Sequence, residues 1–65
     1  MDFILEQKGE LVALEIKVGS TVTGADAAEI RAFRDSLKRN QRLVRGVVSH
    51  AGQTLPLDTD ILALP

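Results

Sequence analysis

The sequence predicts a small α/β domain, of the α+β kind, in the order ββαββ, with a mixed sheet that contains an antiparallel hairpin and one main helix. Three observations predict it. Two short apolar runs, Phe3-Ile4-Leu5 and Leu11-Val12-Ala13-Leu14, flank Gln7-Lys8-Gly9-Glu10, which carries the glycine of a tight turn. A single amphipathic stretch follows, with Ile30, Phe33 and Leu37 at helical spacing. Two further apolar segments, Leu43 to Val48 and Ile61 to Leu64, are short, and the first is rich in β-branched residues, as strands are.

The first two strands are expected at about 2 to 7 and 10 to 18. A two-residue Lys8-Gly9 turn sets Gln7 opposite Glu10, Leu5 opposite Val12, Phe3 opposite Leu14 and Asp2 opposite Glu15. Alternation sends Phe3, Leu5, Val12, Leu14 and Ile16 to one face, and Asp2, Ile4, Leu11, Ala13, Glu15 and Lys17 to the other. Both faces carry apolar residues, the mark of a sheet buried on two sides. Gly19 to Gly24 reads as a loop, and Thr23-x-x-Asp26 as a helix start, with Thr23 at the N-cap. The helix is expected over 24 to 39, its apolar stripe flanked by Ala27, with Asn40 as the stop. A third strand spans 43 to 48, where Gly46 marks a close backbone approach or a bulge. Residues 51 to 58 read as a loop around Pro56, and the last strand as short, with Pro65 at an edge or an end.

Size limits what this fold can do alone. A chain of 65 residues makes one domain, and at that size only about 60% of the unfolded surface is buried. There are no cysteines to bridge and one histidine, so neither a disulfide nor a zinc staple is available. Oligomerisation is the simplest further source of buried area, and a homo-oligomer is expected. Two phenylalanines with no Trp or Tyr leave no platform for stacking single-stranded bases. No stretch approaches the roughly 20 apolar residues of a membrane span, and Met1-Asp2 lacks the basic start of a signal peptide. No membrane association is expected, and the cytoplasm is the default compartment.

The chemistry concentrates on one face of the hairpin. Two carboxylates directly opposite on an antiparallel pair have Cβ atoms about 4.5 to 5.5 Å apart and destabilise the pair unless something neutralises them. Asp2 and Glu15 are so placed. Mg²⁺ binds one or two carboxylates, keeps several waters and contacts substrate phosphates. Lys17 lies two residues beyond Glu15 on the same face, roughly 6.6 Å along the strand. From there it could orient or deprotonate a bound water, or stabilise charge developing on a phosphate. On spacing alone an ordinary charged strand end, with Lys17 bridging the two acids, is the better fit to the three residues.

Asp2-Phe3-Ile4-Leu5, a short turn and Leu14-Glu15-Ile16-Lys17 resemble the D-x(n)-E-x-K signature of the PD-(D/E)XK, or restriction-endonuclease-like, superfamily. The run from Asp2 through Ala13 to Ser20, the helix after Gly24, Arg45-Gly46-Val47-Val48 and Ile61 to Pro65 are similar to the C-terminal domain of many prokaryotic AAA-type ATPases. The resemblance implies a metal-dependent nuclease-like domain hydrolysing phosphodiesters in DNA, with Mg²⁺ or Mn²⁺ as cofactor. It gives Asp2 and Glu15 as metal ligands, the Ile16 carbonyl as a third, and Lys17 as the aid to the attacking water. The superfamily core is αβββαβ, so residues 1–65 would be a truncated, minimal core lacking the first helix and strand. The chain is then either a fragment of a longer protein or a minimal gene whose missing elements come from a partner. No G-x-x-x-x-G-K-[ST] occurs, so nucleotide binding is not expected.

Net charge is −1, yet six of the eight basic residues lie between Arg31 and Arg45, with Asp35 the single acid among them. Arg31, Arg34 and Lys38 share a helix face, and Arg39, Arg42 and Arg45 continue into the next strand. Arg31, Arg34, Lys38 and Arg42 are candidates for contacts to DNA phosphates, which position a duplex without reading it. A solvated helix side with local pairing by Asp35 fits the same pattern. His50, alone and without a companion ligand, reads as a surface polar residue. Besides the nuclease, two other functions fit: a catalytically inactive interaction or oligomerisation module, for which the missing elements leave apolar surface and an open edge, and a small DNA-binding module using the basic segment alone.

Overall fold

A computed structural model of the chain describes residues 1–65. Strands β1 (Phe3–Gln7) and β2 (Glu10–Ile16) form the antiparallel hairpin, with Phe3 opposite Leu14, Leu5 opposite Val12 and Gln7 opposite Glu10. Lys8 at φ 54° and Gly9 at φ 81° both occupy the left-handed region, the turn geometry whose twist matches that of paired strands. Position 9 needs glycine twice over, because a Cβ there would also run into the Asn40 carbonyl oxygen.

A 3-10 turn, Gly24–Ala27, leads into helix α1 (Ala28–Asp35). The helix expected over 24 to 39 is therefore shorter, and its first turn is wound more tightly. Ser36 ends it. The Ser36 hydroxyl donates to the Phe33 carbonyl at 2.7 Å, and its N–H donates to both the Ala32 and Phe33 carbonyls at 3.1 Å, which closes the last turn from within. A separate turn follows, in which the Gln41 N–H donates to the Lys38 carbonyl at 2.9 Å and the Lys38 N–H to the Gln41 side-chain oxygen at 3.0 Å.

Strands β3 (Arg42–Ser49), β4 (Leu55–Pro56) and β5 (Ile61–Leu64) complete a five-stranded sheet of order β1-β2-β3-β5-β4. The β2–β3 and β3–β5 pairs are parallel and the two outer pairs antiparallel, so the fold is α+β with a mixed sheet. One point of the sheet differs from expectation: the short β4 forms inside the segment expected as a loop. β5 is an interior strand, so of the two alternatives for Pro65 it marks an end and not an edge. An all-apolar Ile61-Leu62-Ala63-Leu64 suits an interior position, where both neighbours supply ladder partners.

Helix α1 covers one face of the sheet. Ala13, Ala27, Ile30, Leu43, Val48 and Ile61 form the buried cluster beneath it, with Phe33, Leu37 and Leu57 packed around it. The expected stripe of Ile30, Phe33 and Leu37 is thus the core-facing side. Gly46 permits the close approach anticipated for it: a Cβ there would sit 2.6 Å from Ile30 Cγ2 and 3.1 Å from Ile61 Cγ1. Gly46→Ala is expected to cost about 1–3 kcal/mol through overpacking, read as a lowered urea midpoint. Gly24→Ala, with nothing within 4 Å, should stay within about 0.5 kcal/mol of wild type.

The other face has no cover. Register and alternation place Phe3, Leu5, Val12, Leu14, Ile16, Val47, Leu62 and Leu64 on it. Phe3, Leu5 and Ile16 are 59%, 69% and 53% exposed. No helix of the chain is long and apolar enough to cross a membrane.

Candidate functional site

The acidic site forms where β2 ends and α1 begins. The hairpin register carries Asp2 to the level of Glu15, as the two-residue turn requires. The Asp2 N–H donates to the Leu14 carbonyl at 3.1 Å, and Asp2 Oδ2 accepts the Ile16 N–H at 2.7 Å. One Asp2 oxygen thus closes the end of the hairpin, and the Ile16 amide is fixed beside Glu15.

Glu15 does not stand alone with Asp2. Glu29, on the first turn of α1, lies beside it, and the Met1 ammonium sits 2.7 Å from Glu29 Oε2 and 3.8 Å from Glu15 Oε2. Glu15 Oε2 is buried and receives no hydrogen bond from the protein. Hydrogen bonding to Glu29, then burial, then the Glu29 charge push the Glu15 carboxyl up to about 7. Glu29 moves the opposite way, held down first by its bond to Glu15 and then by the Met1 ammonium. The two carboxyls are thus pushed apart, Glu15 up and Glu29 down, as like charges at short range demand.

Lys17 reaches the same pocket but is engaged elsewhere. Its Nζ donates to both oxygens of Asp26, at 2.7 and 2.8 Å. Asp26 Oδ2 also accepts the Thr23 N–H at 2.7 Å, the reciprocal half of a capping box. The Asp26 carboxylate is lowered by Lys17 first and by the Thr23 amide second. Glu15, Ile16, Lys17, Asp26 and Glu29, with Val18, Ala25 and Val48, line an open pocket of about 430 Å³.

Asp2, Glu15, Ile16 and Lys17 are brought together, then, with two acids that sequence reasoning did not place there. From sequence Asp26 reads as a helix-start residue alone. Glu29 carried one signal, its position three residues after Asp26, which puts both on one side of the helix entrance. No group of three or more His, Cys, Asp or Glu side chains is gathered closely enough to hold a metal ion on protein ligands alone.

The basic candidates fall into two sets. Arg31 donates through Nε to Asp58 at 2.9 Å and through its terminal nitrogens to the Gly24 and Leu57 carbonyls at 3.1 and 2.8 Å. Arg34 donates to Asp60 at 2.7 Å and lies 3.5 Å from Asp58. The Arg31 bond first, and the Thr59 amide second, bring the Asp58 carboxyl down to about 2. These two arginines tie α1 to the turn before β5. Arg42 pairs with Glu10 across β2 and β3 at 2.8 Å, and Lys38 makes no ion pair. Lys8, Arg39 and Arg42 line a small polar pocket with Gly9, Glu10, Asn40 and Gln41. That basic end lies at the start of β2 and the acidic site at its finish, about 17 Å along the strand.

His50 is buried rather than on the surface, at 7% exposure. Its Nδ1 accepts the Gly52 N–H at 3.0 Å, and its Nε2 is buried without a partner.

No curated protein and no solved structure matches the chain. One family model does match it, over residues 1–65, and its description is Domain of unknown function (DUF4143). With the hairpin, the acidic pocket and the sheet all lying inside that match, the chain belongs to the DUF4143 family.

Proposed function

We propose that this domain is a nuclease-like module of the PD-(D/E)XK, restriction-endonuclease-like type, akin to the C-terminal domain of prokaryotic AAA-type ATPases, acting on phosphodiesters in DNA. The observation that carries this reading is Glu15 Oε2, a buried carboxylate oxygen with no donor, beside Glu29 and across from Asp2. Such a carboxylate pair is costly unless protonated or neutralised by a cation. The donor set is hard oxygen, and Mg²⁺ accepts as few as one or two carboxylates when water and phosphate complete its shell. Asp2 and Glu15 would hold the ion, with the Ile16 carbonyl as a further oxygen. When bound, Mg²⁺ or Mn²⁺ supplies a polarised water and neutralises phosphate charge.

The chain's own residues prepare that chemistry. Asp2 holds the Ile16 amide, which keeps the end of β2 in register beside Glu15. Asp26 steadies Lys17 with two of the ammonium's three donors, leaving the third for a phosphate oxygen in the pocket. Glu29, its carboxyl held low by Glu15 and the Met1 ammonium, keeps a negative charge beside Glu15.

The test is a thermal melt and a plasmid-nicking assay across Mg²⁺ and Mn²⁺ concentrations. Wild type is expected to gain melting temperature with metal and to nick. Asp2→Asn and Glu15→Gln should lose both responses, whereas Lys17→Ala should keep the metal-dependent stabilisation and lose nicking. A wild-type protein indifferent to both metals in both assays would sink the proposal.

A second reading, a non-catalytic interaction module, is favoured by the uncovered apolar sheet face, since parallel strands are ordinarily covered on both sides.

A further inference from the structure

The two edges of the sheet are built differently. β4 is two residues long and one of them is Pro56, which has no N–H to offer. β1 is five residues, Phe3-Ile4-Leu5-Glu6-Gln7, all exposed, with neither proline nor lysine among them. One edge is blunted and the other is open for its whole length.

The hairpin turn decides which backbone groups that edge presents. A two-residue turn makes Gln7 and Glu10 face each other through their amides and carbonyls. Alternation then turns the backbone groups of Phe3, Leu5 and Gln7 toward β2 and those of Ile4 and Glu6 outward. The outer rim of β1 thus carries two N–H and C=O sets, at Ile4 and Glu6, spaced for an antiparallel partner.

We propose that the partner is a second copy of this chain, paired β1 to β1 about a twofold axis through Leu5. In that register Ile4 and Glu6 of one copy exchange backbone bonds with Glu6 and Ile4 of the other. Leu5 meets Leu5, Phe3 meets Gln7, and Asp2 meets Lys8. Charge selects this register. Centring the axis on Ile4 would keep the faces aligned but set Asp2 against Glu6, two like charges directly opposite. Centring it on Leu5 brings Asp2, just before the strand, to the level of Lys8, in the turn just after it, twice. The strand is its own complement, which an isologous dimer requires. Asp2 retains an oxygen for this contact, because only Oδ2 is engaged with Ile16. The pairing joins two five-stranded sheets into one, with both α1 helices on the same side. It deepens the interaction reading by giving it a partner and a register, and it does not depend on chemistry at the acidic site.

Sedimentation of the full chain over a concentration series tests it. Wild type should reach a dimer. Ile4→Pro removes one outward N–H and none of the bonds to β2, so it should sediment as a monomer while keeping its far-ultraviolet spectrum. Lys8→Asp, at a left-handed position that Asp tolerates, sets acid against acid and should weaken association roughly tenfold or more. Asp2→Lys should do the same, and an equimolar mixture of these two variants should recover a mixed dimer. A monomeric wild type, or an Ile4→Pro protein that still dimerises, overturns the proposal. So does dissociation by Val47→Lys on the open face with the charge variants inert. If Ile4→Pro fails to fold, the mixing experiment decides: recovery supports the pairing and its absence overturns it. Plasmid nicking is scored separately on Ile4→Pro and Lys8→Asp, neither of which lies in the acidic site, so that loss of the dimer and loss of catalysis are read apart.

Discussion

Ile30→Ala is expected to lower the melting temperature by at least about 10 °C. Ile30 is fully buried at the centre of the cluster formed with Ala13, Ala27, Leu43, Val48 and Ile61. Truncating a buried isoleucine to alanine costs about 2–5 kcal/mol, part from lost transfer energy and part from the cavity left behind. Collapse onto that cavity is restricted here, because the Gly46 backbone already lies close against both Ile30 and Ile61. In a domain of this size each kcal/mol moves the midpoint by about 4–8 °C, and total stability is of order 5 kcal/mol. Differential scanning calorimetry reads the shift, with Val18→Ala, at a residue 97% exposed, as the control that should leave the midpoint in place.

Glu15→Gln is expected to remove a fall in stability that wild type shows between about pH 4.5 and about pH 7. A carboxyl raised in the folded state from 4.5 to about 7 binds its proton more tightly there than in the unfolded chain. Its contribution is therefore complete below 4.5 and is lost as pH rises through about 7. Each unit of such a shift is worth about 1.4 kcal/mol, and solvent reaching a quarter-exposed side chain leaves an effect of about 1–2 kcal/mol. Other groups act outside this window. Glu29 and Asp58, both lowered, contribute stability that is lost on acidification below 4.5 and 3.8 respectively. The Met1 amine, raised from 8.0, acts above that value. Urea midpoints at half-unit steps of pH check the prediction, and an unchanged slope in Glu15→Gln would contradict it.

Local chemistry made the hairpin legible from sequence. A two-residue Lys8-Gly9 turn, or a four-residue loop over 7 to 10, sets the same register, and that register puts Asp2 beside Glu15; a three-residue turn would have slipped it, and the structure has the two-residue turn. The core stripe of α1 was equally legible, since Ile30, Phe33 and Leu37 are spaced for no other face. What escaped depends on partners distant in sequence. β4 is two residues held by the edge of β5, with no pattern of its own. The helix end was placed at Asn40 because nothing in the sequence announces that the Ser36 hydroxyl will close the turn earlier. The site shows the same division. Alternation places Glu15 and Lys17, but the pairing of Asp26 with Lys17 and the approach of Glu29 to Glu15 depend on how α1 lies against β2. Likewise the basic run read as one patch, and the fold divides it, because Asp58 and Asp60 arrive beside Arg31 and Arg34 from the far end of the chain.

The uneven sequence distances across β2 also set an order of events when the chain folds. On one side β2 is joined to β1 by two residues, so that contact closes as hairpins do, in about 1–10 μs. On its other side it must find β3, and the first pair across that seam, Glu10 and Arg42, are 32 residues apart. Closing so long a loop carries an entropic cost before any bond repays it. Helix α1 shortens the search, because it lies within that loop and brings Ile30 to the face where Ala13 and Val48 must meet. Pairing of β2 with β3 under α1 therefore carries the larger entropic cost, and β5 and β4 take their place in the sheet only through β3.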